Sequence, residues 1–191
     1  VPRMRERLKE YDDLVLGNEI FAARTKGIGV LPADVACSYG VSGALLQAAG
    51  VPEDSRKTEP YLFYDQVEFD VPTGRNGDCY DRYATLIGRI HQSLRIIEQV
   101  NERIPPGPVN VKLPKVVRAP QGHAYVRTEA PLGQLSYYMV SHGEKTPWRF
   151  KMRTPSFNNI SSLPYLLKGT LVPDMIAVMG SMFFIVGDID R

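Results

Sequence analysis

Between Asp78 and Arg103 the apolar residues Tyr80, Tyr83, Ile87, Ile90, Leu94 and Ile97 recur alternately three and four positions apart. That period puts all six on one side of a helix, as a bundle helix requires. Asp78 is the expected N-cap, and Pro105-Pro106-Gly107-Pro108 stops the helix from continuing. An apolar stripe of this length has to be covered, so the remaining chain must supply the covering faces.

Ahead of it, Met4, Leu8, Tyr11, Val15 and Phe21 predict one amphipathic helix over 3–24. A Gly-punctuated loop follows over 25–32. Two short helices are expected within 33–50, with Asp34 and Ser42 as N-caps and Gly40 and Gly50 as stops. The segment 51–77 is aromatic and turn-rich, and 109–120 is too rich in proline to be regular. Three strands are expected at 125–129, 134–141 and 148–153, joined by hairpin-length turns. In the third, Trp148, Phe150 and Met152 alternate with Arg149, Lys151 and Arg153, the period of a half-buried strand. Short helices near 161–168 and 173–179 close the chain. No internal repeat is visible. The fold class is therefore α+β, mainly helical around the 78–103 helix, with a small antiparallel three-stranded sheet over about 125–153. The 191 residues read as a single unit.

Composition narrows the function. Lys and Arg number 23 against 21 Asp and Glu, a net charge of +2 that argues for neither nucleic acid nor anionic membrane as the main partner. Cys37 and Cys79 fall in no disulfide or metal-binding pattern, which favours a reducing compartment. Val1 to Glu10 is charged and lacks the apolar core of a secretory signal. The apolar stretch 171–187 is short and contains Pro173, Asp174, Gly180 and Ser181, so it reads as a buried element rather than a membrane span.

Few residues advertise chemistry. Gly74 to Asp78 precedes a helix, but the run matches no phosphate-binding loop and reads as a tight turn with an Asp cap. His91, His123 and His142 have no metal or triad spacing, Cys79 lacks an identifiable base, and Ser141-His142-Gly143 lies in a hairpin turn. No catalytic residue and no metal ligand are assigned. The end is more informative, because the apolar run to Val186 leads directly into Asp188, Asp190 and Arg191. Two readings stand. In one it is a core strand with a solvated tail; in the other the tail folds inward and its charges pair with one another or with Asp81 and Arg82. The second makes Asp78, Asp81, Arg82, Asp188, Asp190 and Arg191 structural charge pairs.

Five motifs agree with one family. They are Arg56-Lys57-Thr58-Glu59-Pro60-Tyr61, the stretch from Phe69 to Tyr83, Glu129-Ala130-Pro131-Leu132-Gly133, the stretch from Arg153 to Asn159, and Gly187-Asp188-Ile189-Asp190-Arg191. In this order, over essentially the whole chain, the sequence resembles the D-type subunit of NADH-quinone oxidoreductase, respiratory complex I. That family is related to the large subunit of nickel-iron hydrogenases. The resemblance implies a hydrogenase-like fold and places the chain in the C-terminal half of the family protein. It implies a component that shapes the cavity where quinone is reduced and docks on the iron-sulfur subunit, with further peripheral-arm and membrane-arm neighbours at the cytoplasmic face of the membrane. Quinone is then the substrate, while NAD(H), flavin and iron-sulfur clusters sit on partner subunits and none is bound by this chain. The Tyr and His that hold the quinone head group in the family belong to its N-terminal half.

Hydrogenases end in two nickel-ligating cysteines that align here with Ile185 and Asp188, and an aliphatic side chain is no nickel ligand. Phe184, Ile185 and Val186 are instead the implied quinone-cavity wall. Two departures are visible. Phe183 stands where the family commonly has Asp, which removes a titratable group near the cavity, and the span between Pro108 and Gly122 is short, as in short-form members. The alternative is a non-catalytic assembly or scaffold protein that keeps only the interfaces.

Overall fold

The computed structural model describes residues 1–190, and Arg191 lies outside the described residues. The expected N-terminal helix is two. Helix α1 runs Pro2–Tyr11, a π-helical turn covers Asp12–Leu16, and α2 runs Glu19–Thr25. The break is chemical: Asn18 is extended, and its side chain accepts from the N–H groups of Ile20 and Phe21, starting a new helix. Of the five apolar positions in the stripe only Leu8 is buried, while Met4 and Tyr11 are exposed.

Helices α3 (Ala33–Ser38) and α4 (Ala44–Ala48) form as expected, and Gly40 and Gly50 stop them with positive φ. The caps differ. Pro32 and Gly43 occupy the N-cap positions, and the Ser42 hydroxyl instead accepts from the Gln134 N–H at 3.1 Å. Irregular chain follows, carrying α5 (Ser55–Thr58) and a 3₁₀ turn at Tyr64–Gln66.

Helix α6 runs Cys79–Arg103, with the Asp78 carboxylate accepting from the Asp81 N–H. It feeds all three apolar clusters. Cys79 enters the main core with Leu31, Leu45, Val178 and Met182; Ile87 and Leu94 pack on Leu8; Ile96 packs on Val67 and Phe69. Ile97, expected inside, is 51% exposed, because no chain covers that end of the stripe; the buried Ile96 next to it is about 100° further round the helix and packs on Val67 and Phe69, away from Ile87 and Leu94.

Strands β1 (Gly122–Ala130), β2 (Gly133–Ser141) and β3 (Arg149–Arg153) make the antiparallel sheet in that order. The pair Ala130 and Gly133 brackets a two-residue turn at Pro131-Leu132. The half-buried reading of β3 is corrected at its outer end, because Trp148 and Phe150 are exposed and only Met152 is half-buried. The sheet extends past the core there, so its aromatics stack locally: Phe150 on Tyr137 at 5.8 Å and Trp148 on His142 at 4.9 Å. The helix expected over 161–168 forms as α8 (Leu163–Leu167), and a further short helix that the sequence reading missed, α7 (Pro155–Ile160), precedes it. A 3₁₀ turn at Val172–Asp174 leads into α9 (Met175–Ser181), and α10 (Val186–Ile189) closes the described chain.

The inner end of the sheet is fastened to the α3–α4 turn by two glycines. Gly43 has φ +66°, and a Cβ there would press on the Leu132 carbonyl and lie 2.5 Å from Gly133 Cα. A Cβ on Gly133 would meet Ser42 Oγ at 2.6 Å. Gly43→Ala is expected to destabilise the fold by about 2–4 kcal/mol. Urea unfolding should show a lower midpoint at unchanged slope; an unchanged midpoint would mean that the two turns do not depend on this approach.

Candidate functional site

The C-terminal segment is built outward from α9. Val178 and Met182 anchor it in the core, at 0% and 1% exposure. Phe183 then takes φ +51°, a left-handed conformation costly for an aromatic residue, and reverses the chain. The Ile185 N–H donates to Ser156 Oγ at 3.3 Å, the Ser156 N–H donates to Asp188 Oδ2 at 3.0 Å, and the Thr154 hydroxyl donates to the Asp188 carbonyl. Two motifs far apart in sequence, Arg153 to Asn159 and Gly187 to Asp190, are thereby joined. The segment holds no strand, which corrects the core-strand reading; a kinked chain tied to the start of α7 takes its place.

Its apolar side chains face two ways. Phe184 packs against the main core and, with Ile176, Met179, Gly180 and Phe183, lines a cavity of about 300 Å³. Ile185 and Val186 do not line it. They are 59% and 70% exposed.

The expected charge pairs resolve differently. Asp78 accepts from the N–H groups of Asp81 and Gly27, each at 2.8 Å, and Asp81 accepts from those of Arg75 and Asn76. Arg82 is 0% exposed and forms no ion pair among the described residues. Its guanidinium donates to the Gly29 and Gly77 carbonyls at 2.8 Å, to Ser181 Oγ at 2.9 Å and to Cys79 Sγ at 3.2 Å. Burial lowers its pKa. The C-terminal segment thus reaches Arg82 through Ser181, not through its aspartates. The Asp188 carboxylate accepts from the Ser156 N–H and its carbonyl from the Thr154 hydroxyl, Asp190 is exposed without an ion pair among the described residues, and Arg191 lies outside them. A lysine has no planar fork to serve acceptors on three sides, so Arg82→Lys should lower stability by about 2–4 kcal/mol. Calorimetry showing an unchanged melting temperature would contradict that role.

A second node escaped the sequence reading. The Glu129 side chain is 1% exposed and faces Arg89 Nη2 at 3.1 Å, while the Ser55 N–H donates to its other oxygen at 3.3 Å. Arg89 Nη1 donates to Gln47 Oε1 at 3.0 Å, and Arg56 grips Asp54 through two nitrogens at 2.9 and 2.7 Å. Arg56, Arg89, Glu129 and Leu132 help line a cleft of about 320 Å³. The available signal was the seven-residue spacing of Arg82 and Arg89, which sets two arginines one above the other beside the apolar stripe. Desolvation, with Asp54 nearby, raises the Glu129 pKa even against Arg89. A carboxyl raised in the folded state binds its proton more tightly there, so its contribution is greatest below the ordinary glutamate value of about 4.3 and is lost as pH rises through the raised value. The stability of the wild type relative to Glu129→Gln should therefore fall with rising pH across that window. Parallel stability curves in chemical denaturation would assign the proton elsewhere.

The histidines stay apart: His91 lies 3.7 Å from Asp12, His123 neighbours Tyr138, and His142 stacks on Trp148. Among the described residues no group of three or more His, Cys, Asp or Glu is placed to hold a metal ion.

The chain matches the family described as respiratory-chain NADH dehydrogenase, 49 kDa subunit, over residues 1–119 and 113–191. It is 50% identical over 193 residues to the second D-type subunit of NADH-quinone oxidoreductase from Salinispora tropica, covering all of this chain and 50% of that protein. The first D-type subunit of the same enzyme from Streptomyces coelicolor is 50% identical over 196 residues, covering all of this chain and 51% of the relative. The D-type subunit from Bacillus mycoides is 49% identical over 191 residues, again covering all of this chain and 52% of the relative. The chain spans about half the length of the curated relatives it matches. Its α+β fold, helical with a small antiparallel sheet, agrees with the hydrogenase-like expectation. The shared motifs and the match along the full sequence establish that the chain belongs to the 49 kDa subunit family of respiratory-chain NADH dehydrogenase.

Proposed function

We propose that the chain is one unit, the C-terminal portion of a D-type subunit that reduces quinone in a respiratory oxidoreductase fed by NADH or a related donor. In this reading Phe184, Ile185 and Val186 form part of the quinone-cavity wall, and the chain docks on the iron-sulfur subunit. The observation that carries it is the exposed apolar surface of Ile185 and Val186, next to the cavity lined by Phe183 and Phe184 and immediately before the anchored Asp188. A quinone ring is flat and apolar and needs such a wall more than it needs charge. Ile185 and Asp188 occupy the aligned places of hydrogenase thiolates, and neither supplies a soft ligand for nickel.

The electrons then arrive from iron-sulfur clusters on a partner, with flavin and NAD(H) further off, and this chain's work is to shape and orient. No helix among the described residues is long and apolar enough to cross a membrane. The protein is accordingly proposed to sit peripherally, at the cytoplasmic face of a translocating membrane complex, between peripheral-arm and membrane-arm neighbours. Alone, the chain is expected not to turn over.

Phe183 favours a second reading, a scaffold that keeps the interfaces without electron transfer. A left-handed residue is better tolerated as the family's Asp than as an aromatic, and the exchange also removes a titratable group. Reconstitution with the partner subunits separates the two: an assembled complex unable to reduce quinone establishes the scaffold. Within an active complex, Ile185→Met or Val186→Met should shift sensitivity to quinone-site inhibitors while costing less than about 1.5 kcal/mol of stability. Unchanged inhibition alongside a large loss of folding would remove these residues from the cavity wall.

A further inference from the structure

One face of the sheet takes no part in the quinone reading. Across the three strands Tyr125, Tyr138 and Lys151 stand in one row, flanked by the rows His123, Val140, Arg149 and Arg127, Ser136, Arg153. Strand alternation puts these rows on one side of the sheet. All of these except His123 and Arg127 line, together with His142 and Trp148, a concavity of about 770 Å³, and no carboxylate lines it although the chain carries 21 Asp and Glu.

The inner cations are already engaged. Arg127 pairs with Glu59 at 2.8 Å, and Arg153 donates to the Gln134 and Gly40 carbonyls at 2.8 Å. Towards the outer end, Arg149 and Lys151 are exposed and form no ion pair among the described residues. Two like charges at alternate positions of one strand repel, and an anionic partner relieves that repulsion.

We propose that this face docks an extended acidic segment of a partner protein, with its carboxylates at alternate positions. Residues two apart on β3 are separated by about 6.6 Å, which is also the spacing of alternate residues in an extended peptide, so carboxylates and cations meet in step. Tyr125 and Tyr138 add hydroxyls and ring surface for the intervening residues. The site is concave, so a planar bilayer does not enter it. The near-neutral chain also lacks the broad positive field that nucleic-acid binding uses. The inference is independent of the quinone reading.

The test is fluorescence anisotropy of a labelled peptide of about ten residues, alternating Glu and Ser, titrated into the full chain. Binding is expected to weaken about tenfold in the double variant Arg149→Glu/Lys151→Glu, to be lost in about 0.5 M salt, and to be weaker for a peptide of equal composition with its glutamates contiguous. Both side chains are exposed, so the variant should unfold at the wild-type temperature; the milder Arg149→Ala/Lys151→Ala pair, expected to show a smaller loss, serves if it does not. Equal affinity in the variants, or for the contiguous peptide, overturns the proposal. So does tighter binding, dependent on Arg149 and Lys151, to phosphatidylglycerol vesicles or to a short oligothymidylate.

Discussion

The structure depends most on one guanidinium. Arg82 is fully buried, yet its donors meet two loop carbonyls, a thiol and a hydroxyl from four places in the chain: the loop after α2, the turn before α6, the first residue of α6 and the last of α9. A buried cation is tolerated only where its hydrogens find acceptors, so these four pieces must arrive together. Their convergence sets where α9 ends, and therefore where Phe183 turns the chain towards the cavity. Nearby, a Cβ on Gly29 would come 2.8 Å from Val178 Cγ2 and 3.0 Å from Arg82 Nη2, so the loop has to be glycine for its carbonyl to reach the guanidinium.

A second buried arginine, two turns along α6, fastens the sheet. Arg89 joins Glu129 at the end of β1 to Gln47 in α4, and Gln47 in turn donates to the Glu53 carbonyl at 2.8 Å. The helix therefore carries two polar anchors on the flank of an apolar stripe. Apolar contact is non-directional and would accept several rotations of α6 against its neighbours; fixed guanidinium forks accept one. This division of labour explains why the motifs that carry the family likeness include Glu129 and the Asp78 to Arg82 segment, which hold the frame and do not line the candidate cavity.

The regular elements were legible because their signals are local. The three-and-four spacing in α6, the Asp78 cap, the alternation in the strands and the stops at Gly40 and Gly50 all appear where periodicity and capping place them. The misreadings share a cause, which is that burial is settled by distant chain. Met4, Tyr11, Trp148 and Phe150 have the right period but no partner layer over them, and Asn18 cut a helix that the period alone would have continued. The polar anchors were hidden for the same reason. Arg82 and Asp81 are adjacent and are expected from the sequence to meet the C-terminal charges together, but a helix turns about 100° between them, so one faces the core while the other caps the preceding turn.

The candidate site follows from that contrast between anchored backbone and open side chains. Thr154, Ser156 and Ile185 supply the donors that hold segment 185–188, so its position does not depend on burying Ile185 or Val186. Freed from a packing role, those two neighbouring side chains present apolar surface to whatever lies beyond, a use that fits binding rather than core formation. The left-handed Phe183 fits the same logic. Its strain is borne by the hydrogen bonds on both sides of it, at Ser181 and at Ser156, and what the strain achieves is a reversal that sets Phe184 inward against the core while Ile185 and Val186 stay out. A helix continuing through 183 would carry all four side chains around one axis, and no single face could then hold both the inward ring and the outward aliphatic pair.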